Sequence, residues 1–509
     1  MQSTLDRPRG LIDLLNIPVV GRVLRWRYGR LVLQIPLLLI AVLLIYDGFT
    51  GSDRAGENLA TVLPWVHYRG VIVVVLLLIG NLFCMGCPFT IPRTIGKRLS
   101  LNKRRFPRLL RNKWLASASI FILFFLYEYL DLWASPALTA WVVVAYFVLS
   151  FAMEAFFGES AFCKYVCPLG TFNFIYSTTA PTQITAKSQD ICRSCVGKEC
   201  VNGSFAQESM IRVDEIPIGG GETKQSQVVH SPQGTPGCGL ELFVPQIKTN
   251  LDCTLCLDCV RACPHDNVAL TTRTPGRELF QPDSWPKRWD ITFLVIGVVF
   301  IGLLNAFGMV NPIFVLMQDM AESLGLLDAN LSNEAIEFIV LGLIFIGGGI
   351  IAPLILTLAA AQLSHVFTRN PKKHSLRHVA ASFAPAFVPI GLGIWIAHYG
   401  FHFLTGIWTF IPVTQFFLID HGITILGSRP DWTLSGVQDF DLITALQIAV
   451  LVGGFLWSMI VAQAAAARLY GRQATQALLP WALLLVLIMY LAISVFSLEM
   501  EMRGTIFFG

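Results

Sequence analysis

Hydrophobic positions in this chain fall in long unbroken runs. Nine runs approach the ~20 mostly apolar residues that a spanning helix needs: roughly 31–48, 70–86, 114–134, 138–157, 290–310, 335–360, 379–398, 438–466 and 478–498. A tenth, roughly 401–425, carries Pro412 and lacks clean flanks, so it reads as re-entrant or surface-lying. Polar positions gather in one long stretch, 158–289, between the fourth and fifth runs. The pattern predicts a mainly α, polytopic membrane protein with about nine transmembrane helices. Its order is an interfacial or cytoplasmic segment 1–30, a four-helix region 31–157, the polar block 158–289, and a C-terminal region 290–509 of five helices.

Composition agrees. The 509 residues are 54% hydrophobic and 14% charged, against about 25% charged in soluble domains. A water-soluble enzyme and a disordered chain are both excluded. Charge adds orientation through the bias of Lys and Arg toward cytoplasmic loops. Residues 88–113 hold nine basic residues (Arg93, Lys97, Arg98, Lys103, Arg104, Arg105, Arg108, Arg111, Lys113) and no acid. Arg22, Arg25, Arg27 and Arg30 precede the first run, and Arg369, Lys372, Lys373 and Arg377 lie in 361–378. By contrast 311–337 holds five acids (Asp319, Glu322, Asp328, Glu334, Glu337) and no base. The expectation is a multi-pass protein of a bacterial inner membrane, with the polar block cytoplasmic and the C-terminus outside. No cleavable signal peptide is evident. Residues 10–28 alternate apolar and basic, as in a helix lying on the inner surface or a plain helical lead-in. A basic run between two spans is not a nucleic-acid site, so no nucleic-acid partner is expected.

All 12 cysteines lie between Cys84 and Cys263. In a reducing compartment such clustering points to metal ligands or redox groups, not disulfides. The run DCTLCLDCVRACP places Cys253, Cys256, Cys259 and Cys263 in the C-x2-C-x2-C-x3-C-P spacing of a bacterial ferredoxin. Three thiolates on a tight loop cap three irons of one [4Fe–4S] cubane, and the fourth reaches a neighbouring cluster. A looser group precedes it: Cys192, Cys195 and Cys200, with Cys238 further on. The economical assignment gives cluster one Cys192, Cys195, Cys200 and Cys263, and cluster two Cys238, Cys253, Cys256 and Cys259. Cys238 as a plain loop thiol is the competing reading. A loop-like insert at roughly 201–237, with Gly219, Gly220, Gly221, Pro232 and Pro236, separates the groups.

Four cysteines remain. Cys84 and Cys87 precede Pro88, and Cys163 and Cys167 precede Pro168. Both motifs sit at the same predicted face, beside the polar block. They read as a shared site for a third [4Fe–4S] cluster or a copper ion, as two thiol redox couples, or as small residues packing helix ends. Among histidines, His398 and His402 share one helical face near the predicted outer surface, where His67 and His421 also lie. They read as haem or quinol ligands or as interfacial polar residues. His365, His374 and His378 fall in a basic inner loop and read as solvated. Glu128, Asp131 and Glu154 are acids in costly places, near span ends.

The segments NLFCMGCPFT, FCKYVCPLGTFN and LDCTLCLDCVRACPHDNVAL together resemble the NosR/NapH/CcoG-type membrane polyferredoxins, over roughly residues 70–310. The resemblance implies an electron-transfer component of a bacterial respiratory chain. Such a protein accepts electrons from quinol or a cytoplasmic donor and serves a partner reductase, cytochrome or oxidase complex. This chain departs from the NosR-like branch in three ways. It has no large outer flavin domain, its first C-P motif has two intervening residues instead of three, and its His-bearing section 311–509 has no counterpart. Flavin chemistry is therefore not implied. Two further classes compete with an electron relay: a copper-handling, cupric-reducing accessory protein for metalloenzyme assembly, and a purely structural anchor. No nucleophile–base triad, P-loop or dinucleotide fingerprint is present, so whether the chain is itself an enzyme stays open.

Overall fold

The computed structural model describes residues 12–91, 104–157, 160–204, 234–368, 374–435 and 439–500. Gly219, Gly220, Gly221 and Pro232 of the insert lie outside the described residues, as do Arg93, Lys97, Arg98, Lys103, Arg369, Lys372 and Lys373. The chain is mainly helical, with one two-stranded sheet among the described residues.

Seven helical stretches among the described residues are long and apolar enough to cross a membrane: Gly29–Thr50, Leu59–Leu78, Pro136–Phe156, Trp289–Phe307, Asn333–Phe367, Leu376–Thr405 and Trp432–Phe496. The helices differ in bounds from the predicted runs at two places, 114–134 and 70–86, while the last two runs are separate helices as expected. The run at 114–134 is helical only over Trp114–Tyr129, because the chain turns at Asp131 with a φ of 45°. The last two runs are the helices Phe440–Tyr470 and Ala474–Phe496, joined by the single turn Gly471–Gln473. The run at 70–86 is displaced toward the N-terminus: its long helix covers Leu59–Leu78, the chain breaks at Gly80 (φ 103°), and a short helix follows at Leu82–Gly86. Asn58 starts that long helix by accepting from the Ala60 N–H at 2.8 Å, as a capping side chain does. The tenth stretch contributes the end of Leu376–Thr405 and an 11-residue helix, Phe410–Asp420.

Packing explains which helices go to the middle. Leu376–Thr405 is apolar on all sides, and 94% of its apolar window is buried; a helix without a polar face belongs in a core. It lies against Phe440–Tyr470 through small residues: a Cβ on Gly454 would stand 2.7 Å from the Pro389 carbonyl oxygen. Close backbone approach of this kind is how membrane helices gain contact when lipid offers no hydrophobic drive. Gly48 serves the same end between Gly29–Thr50 and Pro136–Phe156, where a Cβ would meet Pro136 O at 2.9 Å.

The polar block has its own small core. Strand β1 (Thr182–Ala186) pairs antiparallel with β2 (Val268–Thr272), in the register Thr182↔Thr272 to Ala186↔Val268. Its apolar face packs Ile184, Val268 and Leu270 with Leu255, Leu257, Val260 and the buried Cys253 and Cys259. The N-terminal segment joins this core. Leu15 is buried in it, and Asp13 continues the sheet by pairing with Thr271 and accepting from Leu270 N at 3.2 Å. The helix Pro18–Arg25 follows, with Val19, Val20 and Val23 exposed on its other side. Arg30, at the start of the first long helix, pairs with Asp258 at 2.8 Å, and Arg261 meets the same carboxylate at 2.7 Å.

Candidate metal centre

The loop that carries Cys253, Cys256 and Cys259 bends by placing non-glycine residues in the left-handed region. Asp252, Leu255 and Leu257 have φ of 62°, 47° and 59°. Alternation of this kind turns successive N–H groups inward and makes a concavity for an anion. Leu255 N–H accordingly points to the Cys253 sulfur and Asp258 N–H to Cys256. Burial pushes the Cys253 thiol up to about 12 and Cys256 up to about 11. Without a ligand these sulfurs stay protonated, and metal binding is what would hold them as thiolates.

The eight cysteines of the block fall into two electrostatic neighbourhoods. Cys253, Cys256 and Cys259 each feel Cys238, or one another together with Cys238. Cys192 and Cys200 each feel Cys263, and Cys200 also feels Cys195. Each neighbourhood thus takes three thiols from one stretch and its fourth from the other. Asn267 ties the second group together: its backbone N–H donates to Cys263 Sγ at 3.4 Å, and its side-chain Nδ2 donates to Cys192 Sγ at 3.1 Å. Cys195 donates to Glu199 at 3.2 Å. No disulfide joins any of the twelve cysteines, all of which lie within the described residues.

The four remaining cysteines also converge. Cys84, Cys87, Cys163 and Cys167 line a single cavity together with Cys253 and Cys256. Lys113, Lys164, Arg30 and Asn81 line it too. Lys113 is buried there, with Nζ 2.7 Å from Asp252 and 2.8 Å from the Lys164 carbonyl. Asn81 Nδ2 donates to the Cys253 carbonyl at 2.8 Å, linking the two walls. Among the described residues no three His, Cys, Asp or Glu side chains converge closely enough to hold one metal ion. Four sulfurs about 2.3 Å from a single ion would stand within about 4 Å of one another; the ligands of a cubane each take a different iron and stand further apart. Thiols in sets of four, with N–H groups aimed at their sulfurs, are a donor set of the kind that an iron–sulfur cluster takes.

The histidines are redistributed. His398 and His402 are fully buried in Leu376–Thr405, with ring centroids 5.3 Å apart. Aromatic contacts lead to them from the cysteines. The helix Pro168–Tyr176 begins at Cys167, its Phe172 lies 5.6 Å from Trp395, and Trp395 stacks on His398 at 6.3 Å. His67 is on the helix Leu59–Leu78 and packs on Phe403 and Phe410, and His421 is exposed beside Tyr46. His365 is buried, not solvated, because Asn333–Phe367 continues past the predicted loop start; His374 stacks on His378 at 5.2 Å. A second cavity, of about 610 Å³, is lined by Glu128, Asp131 and Glu337 with apolar neighbours, and neither cavity touches His398 or His402. Glu154 is buried in Pro136–Phe156.

Sequence reasoning missed Asn267, Asn81, Lys113 and Arg30 as parts of the site. Lys113 and Arg30 looked like ordinary members of basic loops, while Asn267 had a signal in its place just after Cys263-Pro264. Replacing Asn267 with alanine removes one N–H donor from sulfur. A hydrogen bond worth about 1 kcal/mol more to the reduced cluster corresponds to roughly 40 mV for one electron. With a cluster held by Cys192, Cys195, Cys200 and Cys263, redox titration of N267A would show that cluster's potential lowered by about that amount.

Comparison with known families, characterised proteins and solved structures gives no match to this chain.

Proposed function

We propose that this chain is a membrane-bound iron–sulfur electron relay of a bacterial respiratory chain. Cys192, Cys195, Cys200 and Cys263, and Cys238, Cys253, Cys256 and Cys259, would hold two [4Fe–4S] clusters in the block 158–289, which would supply one-electron transfer between quinol or a cytoplasmic donor and a partner reductase, cytochrome or oxidase system. The polar block faces the cytoplasm in this reading, and the apolar helices lie in the inner-membrane bilayer. The carrying observation is the crossed grouping of thiols, Cys263 with Cys192 and Cys200, and Cys238 with the Cys253–Cys259 loop. A two-cluster ferredoxin exchanges its fourth ligands in this way, and the resemblance of the same motifs to membrane polyferredoxins points to the same function. When bound, the clusters carry single electrons. The chain's own part is to hold the thiolates, donate N–H bonds to sulfur and exclude water. His398 and His402, on the aromatic line from Cys167, are where a haem or a quinol would have to engage if electrons pass further into the helices.

The test is EPR on anaerobically purified, dithionite-reduced protein. A pair of spin-coupled signals, with at least about eight irons and eight labile sulfides per chain, is the expected result. Protein that carries copper and no labile sulfide overturns this reading in favour of copper handling, for which the soft thiols of the shared cavity are suitable ligands.

A further inference from the structure

We propose that Cys84, Cys87, Cys163 and Cys167 together hold a third iron–sulfur cluster, set against the Cys253–Cys256 loop. This deepens the relay reading and rests on it for the source of the electron.

The two motifs are far apart in sequence and differ in spacing, yet they arrive at one cavity. Local structure explains how. Cys84 lies in the short helix Leu82–Gly86 and Cys87 is its C-cap. Their spacing of three keeps both on one side of an α-turn. Cys163 lies in a π-turn, Phe162–Val166, closed by Cys167 N–H to Phe162 O at 2.9 Å. A spacing of four also keeps two side chains on one side of a helical turn, so Cys163 and Cys167 come to one side as well. Each proline then ends its motif: Pro168 starts the next helix at its first position, where its missing N–H costs nothing.

The surroundings suit a polynuclear anion. Gly170 N–H donates to Cys167 Sγ at 3.2 Å, and Asn173 Nδ2 donates to Cys84 Sγ at 3.4 Å. Lys113 and Arg30 reach the walls as members of the ion pairs with Asp252 and Asp258. Cys84 is coupled electrostatically to Cys163 and Cys256, and Cys167 to Cys163, Cys87 and Cys84. The thiols therefore form one group across both motifs, not two separate couples, and that group borders a ligand of the second cluster. A cluster held by these four thiolates would supply a one-electron acceptor beside the Cys253–Cys256 loop, with no bond made or broken.

Iron, sulfide and copper counts with Mössbauer spectra on the anaerobic full-length chain test this without any variant. About twelve irons per chain, all in cubane sites, is the expected result, and the C84S/C163S double variant is expected to fall to about two-thirds of that iron while keeping the spin-coupled signals of the other two clusters. Cys87→Ala provides a second, milder variant should the double variant fail to insert. Wild-type protein at about eight irons, or one whose copper disappears in C84S/C163S, overturns the third cluster and leaves the two-cluster relay standing. Protein without iron overturns both.

Discussion

Replacing Cys263 with alanine is expected to destroy the cluster at Cys192, Cys195 and Cys200, and to spare the one whose motif Cys263 belongs to. Cys263 closes the run that starts at Cys253, but in the bacterial-ferredoxin spacing the fourth cysteine serves the other cluster. The structure agrees with that assignment: Cys263 shares Asn267 with Cys192 and stands within electrostatic reach of Cys192 and Cys200. Cys238→Ala is the reciprocal experiment and is expected to remove the cluster at Cys253, Cys256 and Cys259. Each variant loses about four irons and one half of the spin-coupled EPR pair, and the two lose different halves. Electron delivery to the partner falls by more than the roughly 10–100-fold that follows loss of an outer-shell group, because a relay with a missing carrier does not conduct. If both variants lose the same signal, the crossed grouping is wrong.

The grouping of thiols was partly legible in the sequence because chain reach leaves a C-x2-C-x2-C loop few ways to present three sulfurs. Helix boundaries were less legible because hydropathy ignores what a neighbour can cover. Residues 59–69 contain Pro64, His67 and Arg69 and read as a loop. In the fold Arg69 is buried, its guanidinium 5.0, 5.2 and 4.9 Å from the rings of Trp65, Tyr127 and Tyr399, and it donates to Trp65 O at 2.8 Å. Aromatic faces attract a cation once water is gone, so a helix passes through a position that local composition marks as polar. His398 and His402 show the same limit. Their spacing placed them on one face, but only the packing of Leu376–Thr405 against its neighbours made that face interior. A shared site for Cys84, Cys87, Cys163 and Cys167 is one reading of the paired C-P motifs, and the fold brings all four to one cavity; the π-turn at Phe162–Val166 is the part that no residue pattern announces.

Substituting Arg273 with leucine is expected to cost about 3–5 kcal/mol of stability, more than any surface change in the chain. Arg273 and Glu278 form an ion pair at 2.6 Å with both side chains 1% exposed. Arg273 also donates to the carbonyls of Ser177, Thr178 and Ala180, where the helix from Cys167 ends. Glu278 accepts from Asn250 N–H at 3.1 Å, and Asn250 in turn donates to Ser177 O and Thr182 O. One buried pair therefore fastens the polar block to the last turn before β1. Removing the arginine leaves three carbonyls short of a donor and a carboxylate without its counter-charge, and each loss is unfavourable in a dry site. The stranded carboxyl is then expected to hold its proton in the folded state, with a pKa above the unfolded value near 4.3. A folded state that binds more protons than the unfolded one loses stability as pH rises, so the deficit of R273L grows between about pH 5 and pH 8. The double variant R273L/E278L removes both charges and is expected to recover part of the loss and to lose the pH dependence. Thermal unfolding in detergent across that range measures all three quantities. A flat profile for R273L would show that Glu278 stays ionised through other donors, with Thr249 and Asn250 carrying the charge alone.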